Sequence, residues 1–174
     1  MDVHIRAAEA SDIPVLLALV HGAYRGESAR GGWTHEADLL DGQRTDAETL
    51  AAVLGDPNQR ILLAEDRAGL AGCVQISDRG GDTAYLGLLS IAPERQAQGL
   101  GRTLIAAAEE QARRMFGARV MEMTVIRQRE ELVAYYERRG YARTGEERPF
   151  PHDDPRFGIP RRRDLSFVVL AKAL

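Results

Sequence analysis

The hexapeptide Gln96-Ala97-Gln98-Gly99-Leu100-Gly101 joins an apolar run, Leu86–Ile91, to a stretch carrying Leu100, Leu104, Ile105, Ala108 and Ala112 at helical spacing. A turn of this kind leaves backbone N–H groups without carbonyl partners at the positive end of a helix dipole. Its glycines also let an anion come close. The chemistry it suits is the holding of a phosphate or pyrophosphate. Spacing argues against two nucleotide patterns. A P-loop needs four residues between its glycines and then Gly-Lys-Ser/Thr, which Gly99-Leu100-Gly101-Arg102-Thr103 does not supply. A dinucleotide fingerprint needs a small residue where Leu104 stands and a carboxylate at the end of the next strand, where Thr124-Val125-Ile126 is found.

Other reactive side chains point less clearly to chemistry. Cys73, beside Val74 and Ile76, reads as a small core residue. His152-Asp153-Asp154 lies in a proline-rich loop, where adjacent residues seldom converge on one ion, so these read as solvated turn residues and no metal is expected. Arg161-Arg162-Arg163 reads as a solvated run that could also attract an acidic acceptor or an adenosine phosphate.

The elements that position the hexapeptide follow from hydrophobic period and punctuation. Val3–Arg6 is a short predicted strand, and Ser11 or Asp12 can cap a helix carrying Ile13, Leu16, Leu17 and Val20 on one face. Gly22–Arg44, rich in glycine and polar residues, reads as a loop or broken helix. Thr45, with Glu48 three residues on, forms a capping box for a helix to Leu54. Arg60–Glu65 and Gly72–Ser77 read as strands joined at Asp66-Arg67-Ala68-Gly69, and Thr83–Ile91 as a third. The helix from Gly99 stops before Gly117. Arg119–Ile126 is a strand, Gln128–Arg139 a helix, and Tyr141–Glu147 and Leu165–Lys172 the last two strands, separated by a loop with four prolines.

The chain of 174 residues, 44% apolar and 28% charged, is of a size and composition that one soluble α/β domain over 1–174 accounts for. A net charge of −3 gives no global sign of nucleic acid or an anionic membrane as partner. One cysteine rules out an intrachain disulfide framework and suits a reducing cytoplasm, and nothing in the sequence reads as a signal peptide or membrane span.

Leu89-Ser90-Ile91-Ala92-Pro93 followed by Gln96–Gly101 is a strand ending in apolar-x-apolar-x-Pro before Gln/Arg-x-x-Gly-x-Gly/Ala. It closely resembles the acetyl-CoA motif of the GNAT superfamily of N-acetyltransferases. Ala134-Tyr135-Tyr136-Glu137-Arg138-Arg139-Gly140-Tyr141 is similar to the same family's helix ending in Tyr-x-x-x-Gly-aromatic. The resemblance implies a mixed, mostly antiparallel twisted sheet of about seven strands flanked by about four helices, with CoA held where the two central parallel strands splay. It implies acetyl transfer from acetyl-CoA to a primary amine by direct attack, without a covalent enzyme intermediate. Cofactor contacts would fall on Leu89, Ser90 and Ile91, which pair with the pantetheine arm, and on Gln96, Gln98, Gly99, Leu100, Gly101, Arg102 and Thr103 around the pyrophosphate. Tyr136 takes the family's place for the acid that protonates the CoA thiolate; read without the family, it is a packed core tyrosine.

Two departures stand out. The family's glutamate base has no counterpart in Ala84-Tyr85-Leu86-Gly87-Leu88, and the asparagine seven residues before the tyrosine is Arg129. The acceptor site is therefore sought in Gly31–Asp38, where Trp33, Thr34 and His35 can line a pocket and Glu36 or His35 can take the amine proton. An ordinary loop with Trp33 filling a gap accounts for the same residues. A small-molecule amine is the expected acceptor, with a protein amine and a homodimer left open. The reading from another class is a CoA-binding regulatory or structural module with an impaired active site.

Overall fold

A computed structural model of the chain describes residues 2–24, 40–41, 45–151, 159–160 and 164–174. Seven strands form one open sheet: β1 (His4–Ala7), β3 (Gln59–Asp66), β4 (Gly69–Gly80), β5 (Thr83–Ile91), β6 (Val120–Ile126), β7 (Ala142–Pro149) and β9 (Ser166–Ala173). Their spatial order is β1-β3-β4-β5-β6-β9-β7, while β2 (Leu40–Asp41) pairs with β8 (Ile159–Pro160) in a separate two-stranded sheet. Every neighbouring pair is antiparallel except β5 and β6, which the crossover through α3 (Leu100–Phe116) makes parallel. The other helices are α1 (Ile13–Tyr24), α2 (Ala47–Leu54) and α4 (Glu130–Glu137).

The helices divide between the two faces of the sheet. Against α3 and α4 pack Leu62, Val74, Ile76, Leu86, Met121, Met123 and Leu170. Against α1 and α2 pack Ile61, Leu63, Cys73 and Leu88. Alternation carries this division in β3 and β4, because one strand sends successive side chains to opposite faces, while in β5 an irregularity at Leu88 puts Leu86 and Leu88 on opposite faces. In α3 the stripe Leu100, Leu104, Ile105, Ala108 and Ala112 is buried, and the helix ends on left-handed Gly117, whose N–H donates to Ala112 O and Arg113 O.

Several helix starts differ from the expectation. The first helical turn is a 3-10 segment, Ala10–Asp12, with Glu9 in the capping position. Asp12 closes that capping box by accepting from the Glu9 amide at 2.7 Å. Asp12 is drawn into this role because the Arg6 guanidinium grips its carboxylate at 2.9 and 2.8 Å. The cap of α2 is Asp46 rather than Thr45. Its carboxylate accepts from the Thr49 amide at 2.7 Å and places a full negative charge at the helix start, which a threonine hydroxyl does not. Helix α1 runs to Tyr24, into the segment expected to be loop, and β4 extends to Gly80.

Two irregularities mark β5. Leu88 is left-handed, with φ 53°, and the pairing with β4 slips there, so that Cys73 faces Ser90 while Gln75 faces Gly87. This is a β-bulge, and the carbonyl of Leu88 accepts from the Ser90 hydroxyl at 3.0 Å and from the Cys73 thiol at 3.4 Å. In addition, β5 and β6 pair only over Thr83–Tyr85 with Val120–Glu122. Beyond that rung the two strands splay apart.

Candidate active site

The splay opens into a groove of about 470 Å³. One wall is the end of β5, with Leu89, Ser90 and Ile91; the floor is the turn from Gln96 through Arg102; the far wall is Arg129, Leu132, Tyr135 and Arg139 from α4 and its flanks. The floor is built by the backbone. Ala97 and Gly99 are both left-handed, with φ 65° and 83°, and the chain enters α3 at Gly99 with no side chain capping the helix. The first rung of the helix is Thr103 N–H to Gly99 O at 3.1 Å, so the amides of Leu100, Gly101 and Arg102 precede the ladder and face the place an anion would take. An L side chain at residue 99 would be strained by its φ. A Cβ on residue 101 would run into the Tyr135 hydroxyl.

Side chains trim this cradle. Gln96 donates to Ile91 O at 3.3 Å, and Gln98 accepts from Arg95 at 3.3 Å. Arg95 is paired with Asp66 on the β3–β4 turn, and this guanidinium holds the Asp66 carboxyl below its ordinary value. Four arginines line the groove, Arg95, Arg102, Arg129 and Arg139, and no carboxylate does among the described residues. The wall charge therefore suits an anion.

Of the expected cofactor contacts, Leu89, Ser90, Ile91, Gln96, Gln98, Gly99, Leu100, Gly101 and Arg102 come together in the groove. Thr103 stands apart from it; its hydroxyl turns back to Gly99 O at 3.1 Å. Tyr136 is 5% exposed and belongs to the core, edge-on to Tyr135 at 5.4 Å and to Tyr141 at 6.2 Å. Neighbouring residues of a helix point about 100° apart, so only one of the adjacent tyrosines can face the groove squarely, and the groove is lined by Tyr135. Tyr141 donates to buried Glu109 at 2.9 Å, and Lys172 closes the cluster at 2.9 Å from the same carboxylate. Burial first, then the Glu109 charge, pushes the Tyr141 hydroxyl well above its ordinary pKa, so it stays a hydrogen-bond donor.

Trp33, Thr34, His35 and Glu36 lie outside the described residues, as do His152-Asp153-Asp154 and Arg161-Arg162-Arg163. Among the described residues no group of three His, Cys, Asp or Glu side chains converges as a metal site would require, and no helix is long and apolar enough to cross a membrane.

The sequence reading missed Leu132, Tyr135 and Arg139 as groove residues. It also missed a polar row on the sheet face away from α3 and α4. There Tyr85 shares a short hydrogen bond with Thr124, and Glu122, beside Tyr85 in the last rung of β5 and β6, accepts from Arg148 at 2.8 Å. The alternation of β6, with Met121, Met123 and Val125 buried, was the available signal that Glu122 and Thr124 share the opposite face.

The profile of the acetyltransferase (GNAT) family matches residues 22–141. The chain belongs to the GNAT acetyltransferase family. No curated protein sequence matches it. Solved structures share the GNAT fold across almost the whole chain, each below the identity that would speak to substrate. The ribosomal-protein-S18-alanine N-acetyltransferase from Escherichia coli is 16% identical, covering 99% of this chain and 94% of its own, with a TM-score of 0.71. A chimeric spermidine N-acetyltransferase built on SpeG of Vibrio cholerae is 19% identical, covering 99% and 96%, with a TM-score of 0.71. The yncA protein of Salmonella typhimurium, solved with its cofactor acetyl-CoA, is 18% identical, covering 100% and 95%, with a TM-score of 0.72. The expected fold is the observed one: a mixed, mostly antiparallel sheet of seven strands, with four α-helices among the described residues.

Proposed function

We propose that this GNAT enzyme transfers acetyl from acetyl-CoA to a primary amine of a small molecule. The observation that carries the reading is the uncapped start of α3, which turns three amides into an arginine-lined groove beside the end of β5. A diphosphate fits there because it supplies the acceptor oxygens those amides need and charge opposite to the groove walls. Acetyl-CoA, when bound, supplies an acyl group already activated as a thioester, with a thiolate leaving group. Leu89, Ser90 and Ile91 offer strand backbone along which an amide-bearing arm can lie. Tyr136 is the proposed proton donor to the leaving thiolate. Its place four residues before Gly140, in the stretch that resembles the family's Tyr-x-x-x-Gly-aromatic, supports that role.

An alkyl amine with a pKa near 10.4 must lose a proton before it attacks, at a cost of about 4 kcal/mol at neutral pH. Glu36 is the proposed base, with Trp33, Thr34 and His35 around the acceptor. Among neighbours of the same fold, one is named for spermidine and one for a ribosomal protein, so both small and protein amines are acceptors within this fold. A cytoplasmic setting follows from the expected reducing compartment of a chain with one cysteine.

A second reading, a CoA-binding module with impaired chemistry, has one specific observation in its favour: Arg129, 4% exposed, lines the groove where the family carries an asparagine. Release of thiol from acetyl-CoA across a panel of amines, including spermidine and a peptide with an N-terminal alanine, decides between the two. Turnover on one amine, lowered about ten- to a thousandfold in Tyr136→Phe with CoA affinity kept, is the expected result. Binding of CoA without turnover on any amine assigns the module instead, and full turnover in Tyr136→Phe removes Tyr136 as the acid.

A further inference from the structure

The groove carries more positive charge than a diphosphate alone calls for, and the surplus is placed away from the α3 turn. Arg95 is already matched by Asp66, and Arg102 rises from the first turn of α3 beside the amides. Arg139 is different. It follows the last turn of α4 on the opposite wall, and its guanidinium carbon lies 4.5 Å over the Tyr135 ring. That ring is itself held in place, with its hydroxyl against Gly101 and its edge against Tyr136. Stacking on a fixed ring sets the plane of the arginine fork before any ligand arrives.

The fork has an unfilled position. Arg139 Nε is buried and has no hydrogen-bond acceptor among the described residues. A buried donor left unsatisfied costs about 1–3 kcal/mol, and such groups are scarce in folded proteins. A ligand oxygen that drew this guanidinium toward the groove would remove that cost. The guanidinium sits on the face of the Tyr135 ring while Gly101 meets the hydroxyl end of that ring, so the ring sets the fork off from the anion held at the α3 turn.

Resting on the acetyl-CoA reading above, we propose that Arg139, stacked on Tyr135, binds the 3′-phosphate of the coenzyme and makes the enzyme distinguish CoA from 3′-dephospho-CoA. A phosphomonoester is close to a dianion at neutral pH and presents several oxygens to a planar fork, the pairing that guanidinium groups make best. The diphosphate is served separately by the amides of α3.

Titration calorimetry with CoA and with 3′-dephospho-CoA tests this on the full chain. The wild type binds CoA about ten- to a hundredfold more tightly than 3′-dephospho-CoA. Arg139→Gln loses that preference by weakening CoA alone, while its affinity for 3′-dephospho-CoA stays at the wild-type value, which also shows that the variant is folded. Arg139→Lys keeps part of the preference, having the charge without the fork. Equal weakening of both ligands in Arg139→Gln would overturn the proposal, because it would place the guanidinium on the diphosphate or in a purely structural role. Equal affinity of the wild type for both ligands would overturn it too, with the acetyl-CoA reading left standing. A wild type that binds neither ligand defeats that reading, and the proposal falls with it.

Discussion

Gly101→Ala places a methyl group where the Tyr135 hydroxyl already lies, and the two residues together give a test of how the groove is braced. In isolation the substitution favours the helix, since alanine is better than glycine inside one by about 0.5–1 kcal/mol, and residue 101 has no left-handed φ to forbid it. Against that gain stands the Tyr135 oxygen, far inside contact distance, whose ring cannot tilt without disturbing its edge contact with Tyr136 and the stacked Arg139. Overpacking of this kind costs about 1–3 kcal/mol. The expected net effect of Gly101→Ala is therefore a loss of about 1 kcal/mol. In a Tyr135→Phe background the nearest remaining atom is the ring carbon Cζ at 3.4 Å, an ordinary contact, and the same substitution should stabilise by about 0.5–1 kcal/mol. The sign reverses, with a coupling energy of about 1–3 kcal/mol. Urea unfolding of the wild type, both single variants and the double variant, read as midpoint and slope, gives that coupling free of whatever the tyrosine hydroxyl contributes elsewhere. If Gly101→Ala has the same sign and size in both backgrounds, the oxygen is not what excludes a side chain at residue 101, and the bracing argument fails.

Two further outcomes are expected. Asp12 is held down to about 2 chiefly by its hydrogen bonds from Arg6 and further by the Glu9 amide, with its own burial opposing. Because the folded value lies below the ordinary 3.8, the stabilisation is complete above about pH 4 and is lost as pH falls through 2. Asp12→Asn should cost about 1–2 kcal/mol near neutrality, after allowance for solvent at Arg6, and flatten the acid limb of the stability curve in denaturant titrations. Glu36→Gln should flatten the alkaline-rising limb of the pH–rate profile with the best amine of the panel, and a profile identical to the wild type would remove Glu36 as the base.

The parts of the molecule with a strong local signal were legible. β5 runs from Thr83 to Ile91 as its alternation indicates, and α3 fills the stretch between Gly99 and Gly117 because both ends are glycines in left-handed conformation. The floor of the groove was legible for the same reason, being made of consecutive residues. What escaped depends on contacts between distant residues. Nothing around Leu88 announces a left-handed leucine, since the bulge arises from how β4 and β5 register. Tyr135 and Arg139 became groove residues only when the docking of α4 chose which side of the helix looks toward Gly101. The choice of Asp46 over Thr45 as cap turned on a difference of one residue, finer than sequence period resolves.

The sheet order has a consequence for how the molecule is made. β9, the last of its strands in the chain, lies between β6 and β7, and among the described residues β7 pairs with β9 alone. A ribosome releases β7 before the strand it needs, so both β6 and β7 must wait with open edges until Ser166–Ala173 slides in between. Lys172, near the end of that strand, is also the cation that meets Glu109 in α3. Completion of the sheet and neutralisation of the buried carboxylate thus happen in one late event. Until then the half-built protein carries unpaired strand edges of the kind that chaperones shield and that aggregate when they are not shielded.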